Sequence, residues 1–188
     1  DQSRYIDLPT QYSITEKSKN VEGIAQGGSL QNVNDPKALG SKSYSGYTIM
    51  NTNENDRYNQ ALSGYSKAFT FEVLVKPNSN AKNSVFLAKG DWQMALKTQS
   101  SGDGLEFFIY DGNWKSVSAS FPDDWLNNWH QVVGTYDKSV LKLYCDGELL
   151  AETNIGDCKI NAMDDQLAVG YDVSNNRKLD GEISIARV

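Results

Sequence analysis

The chain has 188 residues, and 39% of them are hydrophobic, which is enough to bury the core of one domain. Its net charge is −6 at pH 7, and its lysines and arginines are scattered without a basic stripe. This pattern argues against nucleic-acid binding, because neutralised phosphates supply most of that affinity. No apolar run approaches the roughly 20 residues of a membrane span. The single histidine and two cysteines lack the paired spacing of a zinc site.

Residues 1–44 predict an irregular N-terminal part. They contain several turn signals, such as Gly-Gly and Asp-Pro pairs, and one short run suited to an edge strand. We expect this part to return to the last strand, with Ile6 or Tyr12 packing near Ile183. The first residues do not form a signal peptide, and the chain ends inside a predicted strand. We therefore expect a fragment of a longer protein, with a single domain over residues 1–188.

Short strands are predicted along the rest of the chain, with a single helical turn at 59–62. In the segment 69–76, FTFEVLVK, alternate side chains fall on opposite faces. The spacing of the segments, about 8–12 residues, is typical of an all-β sandwich. The predicted strands are 45–50, 69–76, 85–89, 92–97, 105–110, 114–119, three within 129–150, 166–170 and 181–188.

The clearest pattern is WHQVVGTYDKSVLKLYCDGELL at 129–150, which predicts strand, turn, strand, turn and strand. Asp146-Gly147 predicts a type I′ hairpin, because both central positions of that turn need a positive φ. One face of the first strand holds His130, Val132, Gly134 and Tyr136, and the other holds Trp129, Gln131, Val133 and Thr135.

The same stretch resembles the laminin G-like, concanavalin A-like jelly-roll family through W-H-x-V-x-G-T-Y-D followed by L-x-L-Y-x-D-G-E-L. The resemblance extends from Ser45 to Val188. SGYTIM followed by AFTFEVLVKP also resembles the modules attached to bacterial glycoside hydrolases such as family 2 β-galactosidases, although Leu74 stands where their pattern has Trp. The resemblance implies an all-β fold, an antiparallel two-sheet jelly-roll β-sandwich, with 129–150 in its middle.

The sequence does not indicate catalysis. Glucanases of this fold share an E-x-D-x-E run on one strand, and no such run occurs here. Glu148 and Glu152 are the nearest pair, but four strand residues place their Cα atoms roughly 13 Å apart. That separation exceeds the carboxyl spacing of glycoside hydrolases. The resemblance gives His130 a packing role, so we expect no enzymatic activity from this chain.

Carbohydrate binding needs aromatic rings for the apolar sugar faces and polar forks for the hydroxyls. We assign Trp129 to the core, Trp125 to a lid over the sandwich edge, and Trp114 to either core or rim. In related modules the strand that begins here at Trp92 lies close to the loop at 171–178, YDVSNNRK. An ordinary polar loop over a core Trp is the alternative. The predicted glycan site consists of Asp91, Trp92, Trp114, Tyr171, Asp172, Asn175, Asn176 and Arg177.

Many modules of the resembled family hold a structural Ca²⁺ with loop carboxylates and backbone carbonyls. The candidate ligands here are Asp180 and Glu182, whereas a charged turn is the simpler interpretation of Asp164 and Asp165. Ser184 stands where the family pattern has a second Asp, which removes one ligand. The sequence requires no cofactor, and structural calcium is the candidate that remains.

Cys145 and Cys158 are predicted to form a disulfide. The bridge would tie the central hairpin to the following segment and stabilise the fold by about 2–3 kcal/mol through loop entropy. It would also indicate an oxidising compartment. Two small buried thiols are the alternative.

These observations predict a non-catalytic carbohydrate-binding accessory module of a secreted or periplasmic bacterial glycoside hydrolase. Its partners would be a glycan and the other domains of the parent chain. A structural or protein-interaction domain is the alternative, and it would show an exposed apolar patch of several hundred Å² without an open aromatic shelf. A degenerate glucanase would need two carboxylates within about 10 Å across a cleft.

Overall fold

A computed structural model of the chain describes residues 47–48, 68–161, 165, 167–172, 175 and 177–188. The irregular N-terminal part, its packing near Ile183 and the helical turn at 59–62 lie outside these ranges. None of the described residues forms a helix that could span a bilayer. The strands are β1 (Tyr47–Thr48), β2 (Phe69–Pro77), β3 (Val85–Ala88), β4 (Met94–Thr98), β5 (Gly104–Tyr110), β6 (Trp114–Ser120), β7 (His130–Tyr136), β8 (Val140–Cys145), β9 (Glu148–Asn154), β10 (Ala168–Val169), β11 (Tyr171–Asp172), β12 (Arg177–Lys178) and β13 (Gly181–Arg187).

Two antiparallel sheets form the body of the protein. The six-stranded sheet has the order β1-β10-β3-β4-β5-β6, and the five-stranded sheet has the order β13-β2-β7-β8-β9. Inward-facing side chains of both sheets, such as Phe71 on β2 and Phe107 on β5, belong to one hydrophobic core. Because strand residues alternate between faces, β2 contributes every second side chain to that core. The predicted all-β jelly-roll β-sandwich is confirmed.

The central stretch 129–150 folds as predicted into β7, β8 and β9. His130, Val132, Gly134 and Tyr136 are buried on the inner face of β7. At Gly134 a Cβ atom would lie only 2.4 Å from the Phe107 ring, so the close approach of the two sheets there requires glycine. Positive φ values at Asp146 (52°) and Gly147 (84°) confirm the type I′ turn between β8 and β9.

The assignment of Trp129 to the core is wrong. The buried face of β7 begins at His130, and Trp129 directly precedes it and is only partly buried. Adjacent residues of an extended chain point to opposite sides, so the inward position of His130 turns Trp129 away from the core. The packing role predicted for His130 is confirmed, since its side chain is 2% exposed.

The predicted disulfide is not formed, because Cys145 and Cys158 are both free. Cys145 pairs with Val132 near the start of β7, whereas the Cys158 carbonyl accepts a hydrogen bond from the Tyr136 hydroxyl at the end of that strand. Four strand residues span roughly 13 Å, well beyond the Cα separation of a disulfide. Burial and the adjacent Asp146 carboxylate raise the pKa of the Cys145 thiol to about 12. The alternative of two small buried thiols holds in part, because both cysteines are free but only Cys145 is buried.

Candidate functional site

Three aromatic rings form an open surface where the β3–β4 turn meets the β5–β6 hairpin. We call Trp92, Tyr110 and Trp114 the aromatic platform. The ring centroids are 5.0–5.2 Å apart, and the two indole planes are tilted by 39°. Trp92 is 45% exposed and Trp114 is 56% exposed, which makes them two of the four exposed large hydrophobic side chains among the described residues. The platform is therefore an apolar surface open to solvent.

Turn chemistry places both indoles outside the core. Gly90 has a φ of 83°, and its carbonyl accepts hydrogen bonds from the backbone N–H groups of Gln93 and Met94, which closes the turn that carries Trp92. In the other hairpin Gly112 has a φ of 110°, and Tyr110 and Trp114 are cross-strand partners. Such a pair places the two side chains side by side on one face of the sheet.

A buried polar network supports the platform. Lys89 is fully buried, and its ammonium group donates to the Gln93 side-chain oxygen at 2.7 Å and to the Asp165 carbonyl at 2.8 Å. The Gln93 amide donates to the Asn161 carbonyl at 2.8 Å, and the Tyr110 N–H donates to the Gln93 carbonyl at 2.8 Å. Burying an ammonium group is costly unless acceptors such as these oxygens replace its hydrogen bonds to water. The network fixes the Trp92 turn against the end of β5.

A polar rim borders the platform; it consists of Asp91, Asn175 and Arg177 together with Asp172, which is buried. The Arg177 guanidinium donates to Asp91 Oδ1 at 2.6 Å and lies 3.9 Å from Asp172 Oδ2. The Asn175 amide donates to the same Asp172 oxygen at 2.8 Å. The Trp114 indole N–H donates to the Asp91 carbonyl at 3.0 Å, which joins the rim to the platform. The rim carries one more negative charge than positive charge.

The structure brings together most of the residues that the sequence nominated for a glycan site. Asp91, Trp92 and Trp114 meet the rim residues from β11 and β12, although 86 positions separate Asp91 from Arg177. The predicted loop at 171–178 contains a two-stranded ribbon, in which Tyr171 pairs with Lys178. Asn176 lies outside the described residues.

Sequence reasoning missed three contributors to this site: Tyr110, Lys89 and Gln93. Tyr110 was assigned only to a strand, yet it is the third ring of the platform. The available signal was a Tyr and a Trp flanking the Asp-Gly-Asn turn, a spacing that makes them cross-strand neighbours. Lys89 and Gln93 gave no comparable signal, because the partners of Lys89 and of the Gln93 side-chain amide include Asp165 and Asn161, which are distant in sequence.

Trp125 belongs to a second aromatic group, which is buried. Its ring stacks on Phe121 (4.9 Å, 13°) and on His130 (5.1 Å, 29°), and Phe86 lies 6.0 Å away. Trp125 is only 2% exposed, and its indole N–H has no hydrogen-bond partner among the described residues. The sequence placed Trp125 as a lid over the edge; the structure makes it part of the main core.

The carboxylates considered for catalysis or calcium have ordinary protein partners. Glu152 on β9 lies 3.6 Å from the Lys142 ammonium group. Glu182 lies 3.6 Å from the Lys76 ammonium group, and Asp180 accepts a hydrogen bond from Asn78 at 3.3 Å. Two carboxylates have only four oxygens, so Asp180 and Glu182 alone do not supply the six to eight oxygens that Ca²⁺ prefers. Structural calcium and the lack of catalysis both stay predictions.

The fold and the open aromatic surface define a lectin-like β-sandwich. The chain belongs to the concanavalin A-like lectin/glucanases superfamily, whose family model matches residues 40–188. The resemblance noted from the sequence is thereby confirmed. No significant match was found among curated protein sequences.

Several solved structures share this fold. The CBM40 of the Ruminococcus gnavus IT-sialidase, bound to α2,3 sialyllactose, superposes with a TM-score of 0.61 at 15% identity and covers 80% of this chain and 88% of that chain. A second similar structure is domain 4 of AbnA, an extracellular GH43 arabinanase from Geobacillus stearothermophilus, in complex with arabinotriose. Its TM-score is 0.58 at 14% identity, and the match covers 94% of this chain and 79% of that chain. A carbohydrate-binding candidate from Bacteroides ovatus has a TM-score of 0.51 at 22% identity. The match covers 65% of this chain and 39% of that chain. At these identities the similarity establishes the fold.

Proposed function

We propose that this domain is a non-catalytic carbohydrate-binding module of a secreted or cell-surface bacterial glycoside hydrolase. The sequence motifs favour a β-galactosidase-like parent enzyme. The observation that carries the proposal is the aromatic platform, whose two indoles stay exposed while a polar rim borders them. An indole face covers the C–H face of a pyranose, and carboxylate and amide groups bind its hydroxyls. The solved structures of similar fold that contain sialyllactose or arabinotriose support this assignment.

The charges of the rim favour a neutral sugar. A carboxylate-bearing sugar would need the Arg177 guanidinium, which already donates to Asp91 and lies beside Asp172. Displacing Asp91 would leave a partly buried carboxylate without its cation, which is costly. The net charge of −6 also repels an anionic glycan at long range. A neutral oligosaccharide neither displaces Asp91 from Arg177 nor is repelled by the net charge.

The alternative of a protein-interaction domain has less support. It requires a contiguous exposed apolar patch. The exposed large hydrophobic side chains among the described residues are Trp92, Trp114, Leu126 and Leu149. The two tryptophans lie against the charged rim, whereas Leu126 and Leu149 belong to separate segments, the β6–β7 connection and β9. This distribution fits a small polar ligand with an apolar face better than a protein surface.

Titration calorimetry with a panel of neutral and sialylated oligosaccharides tests the proposal. We expect a neutral member of the panel to bind, and Trp92→Ala to lower its affinity by roughly thirty-fold, since truncating a central aromatic contact costs about 2 kcal/mol or more. Trp129→Ala is the matched control, because Trp129 is partly exposed and is not among the rings that contact one another in the platform; it should leave the affinity unchanged. Stronger binding of the sialylated sugars would overturn the neutral-ligand assignment. An equal loss in both variants, or no binding to any sugar, would overturn the site.

A further inference from the structure

Three side chains that can ligate metal ions meet in the five-stranded sheet, where β7 begins and β8 ends. They are His130, Cys145 and Asp146. Their ligand atoms, the imidazole Nδ1, the thiol Sγ and a carboxylate oxygen, all lie within 4.8 Å of one another. Nδ1 is 2.7 Å from Asp146 Oδ2, and Sγ is 3.6 Å from the same oxygen. No other such group was found in the described ranges.

The backbone holds these groups in place. The type I′ turn fixes Asp146, whose N–H donates to the Gln131 carbonyl at 2.8 Å while its Oδ1 accepts from the Gln131 N–H at 2.8 Å. The second carboxylate oxygen is thereby directed at His130. The imidazole ring in turn stacks on Trp125 at 5.1 Å. The carboxylate and the imidazole are therefore positioned by contacts that need no metal.

The hydrogen bond at the far side of the imidazole fixes its tautomer. His130 Nε2 lies 3.2 Å from the Asp124 backbone carbonyl, which can only accept, so Nε2 carries a hydrogen. Nδ1 then faces a carboxylate oxygen at 2.7 Å, which is a hydrogen-bond distance, so a proton lies between these two atoms unless they move apart to admit a metal ion. Histidines that ligate metals characteristically donate their other N–H to a carbonyl or carboxylate, as His130 does here.

We propose that His130, Cys145 and Asp146 form a binding site for a divalent transition metal ion of the zinc class. Nitrogen, thiolate and carboxylate ligands together suit a borderline-soft ion and not Mg²⁺ or Ca²⁺. Bond lengths of about 2.0–2.3 Å in a tetrahedral site separate ligand atoms by roughly 3.3–3.8 Å, and by about 3.3–3.5 Å for a nitrogen and an oxygen. Nδ1 and Oδ2, which are 2.7 Å apart, therefore need to part by about 0.6–0.8 Å. Asp146 is exposed, so water can fill the fourth position.

Binding exchanges protons for the metal ion. The ion replaces the proton between Nδ1 and the Asp146 carboxylate, and Cys145 releases its thiol proton to solvent as the Sγ–metal bond forms. Asp124 and Glu148 add negative charge around the thiol. That charge disfavours a bare thiolate but stabilises a divalent cation. The competing interpretation is a purely structural His–Asp hydrogen bond beside an inert thiol.

Cobalt substitution separates the two interpretations. The full chain is stripped with a chelator and titrated with Co²⁺. A thiolate–Co²⁺ bond gives a near-ultraviolet charge-transfer band, which we expect at one ion per chain and which Zn²⁺ should abolish by displacement. Cys145→Ser should lose the band, and Cys158→Ser, the matched control, should keep it. Absence of the band in the wild type, or its loss in the Cys158 variant alone, would overturn the proposal.

A second variant guards against failed folding of Cys145→Ser. Asp146 is exposed, so Asp146→Asn should keep the fold, which near-ultraviolet circular dichroism checks. We expect it to weaken Zn²⁺ binding at least tenfold, because it replaces an anionic ligand. Zn²⁺ should also raise the unfolding temperature of the wild type, whereas Mg²⁺ should not. Equal Zn²⁺ affinity in Asp146→Asn and the wild type would overturn the assigned ligand set.

Discussion

The aromatic platform and the buried group around Trp125 are both clusters of packed aromatic rings, but one is open to solvent and the other lies in the core. Ring centroids are 5.0–5.2 Å apart in the platform and 4.9–6.0 Å apart around Trp125, so ring packing does not distinguish them. Exposure does, since Trp114 is 56% exposed and Trp125 is 2% exposed. The Trp114 N–H also has a backbone acceptor, whereas the Trp125 N–H has none among the described residues.

This difference shows what each group contributes. Burying a tryptophan stabilises the fold even when its N–H stays unpaired, because the apolar area removed from water outweighs one lost hydrogen bond. Keeping two indoles exposed forgoes that gain, and it takes a dedicated turn and a buried lysine network to hold one of them in place. Structure that stabilises an exposed apolar surface is expected where a ligand will cover it.

The largest test of this comparison is truncation of a tryptophan from each group. Trp125→Ala should lower the free energy of unfolding by about 3–5 kcal/mol, as expected for a large aromatic in a packed core. Trp114→Ala should lower it by no more than about 1 kcal/mol, because it removes little buried area and one exposed hydrogen bond. Urea denaturation of both variants measures the difference. Equal losses would mean that the platform is core in solution.

A smaller effect separates the two turns that carry the platform. Gly90 and Gly112 both have positive φ, so alanine should cost about 1–2 kcal/mol at each through backbone strain. A Cβ at Gly90 would also lie 2.3 Å from Asp165 Oδ2 and 2.9 Å from Asp165 Cβ, whereas at Gly112 nothing lies within 4 Å. Gly90→Ala should therefore lose about 1–3 kcal/mol more than Gly112→Ala. Similar urea midpoints for the two variants would show that Asp165 does not pack on the Gly90 turn.

The smallest expected effect involves neither aromatic group and concerns how the stability of the fold depends on pH. Backbone hydrogen bonds from Ser139 and Val140 lower the pKa of Asp137 below its ordinary value of 3.8. A lowered folded-state pKa adds stability above the ordinary value, and that stability is lost as the pH falls through the folded-state value. Asp137→Asn should have a slightly lower free energy of unfolding than the wild type near neutral pH, and this difference should vanish in acid. Urea midpoints across the acid range measure it; a gap that widens in acid would contradict this sign.

Local patterns predicted the strands well. In 69–76 and 129–150 the alternation of side chains and the Asp-Gly turn agree with the fold, so β2, β7 and the β8–β9 hairpin were evident from the sequence. The ribbon of β11 and β12 was not, because strands of two residues have no periodicity. Trp129 was misplaced because its position on the predicted central strand outweighed the alternation that separates it from His130.

Properties that depend on the pairing register of the strands could not be predicted from the sequence. Cys145 and Cys158 are near in the chain but lie at opposite ends of β7, which only the strand pairing shows. Likewise, the paired spacing of known zinc motifs gave no hint that His130 and Cys145 meet, because adjacent strands bring them together. Most of the residues nominated for a glycan site meet in the structure because exposed loops of this fold converge at one edge, whereas Tyr110 was recognisable only as the cross-strand partner of Trp114.

The platform and its rim are assembled from three connections with their flanking residues: the β3–β4 turn supplies Trp92, the β5–β6 hairpin supplies Trp114, and the β11–β12 ribbon supplies Arg177. Each connection is closed by its own backbone hydrogen bonds, and the strands between them supply the core. A substitution or insertion in one connection therefore alters the recognition surface without shifting any strand. Such modularity lets binding preference diverge by small mutational steps, one hairpin at a time, while the sandwich keeps its stability.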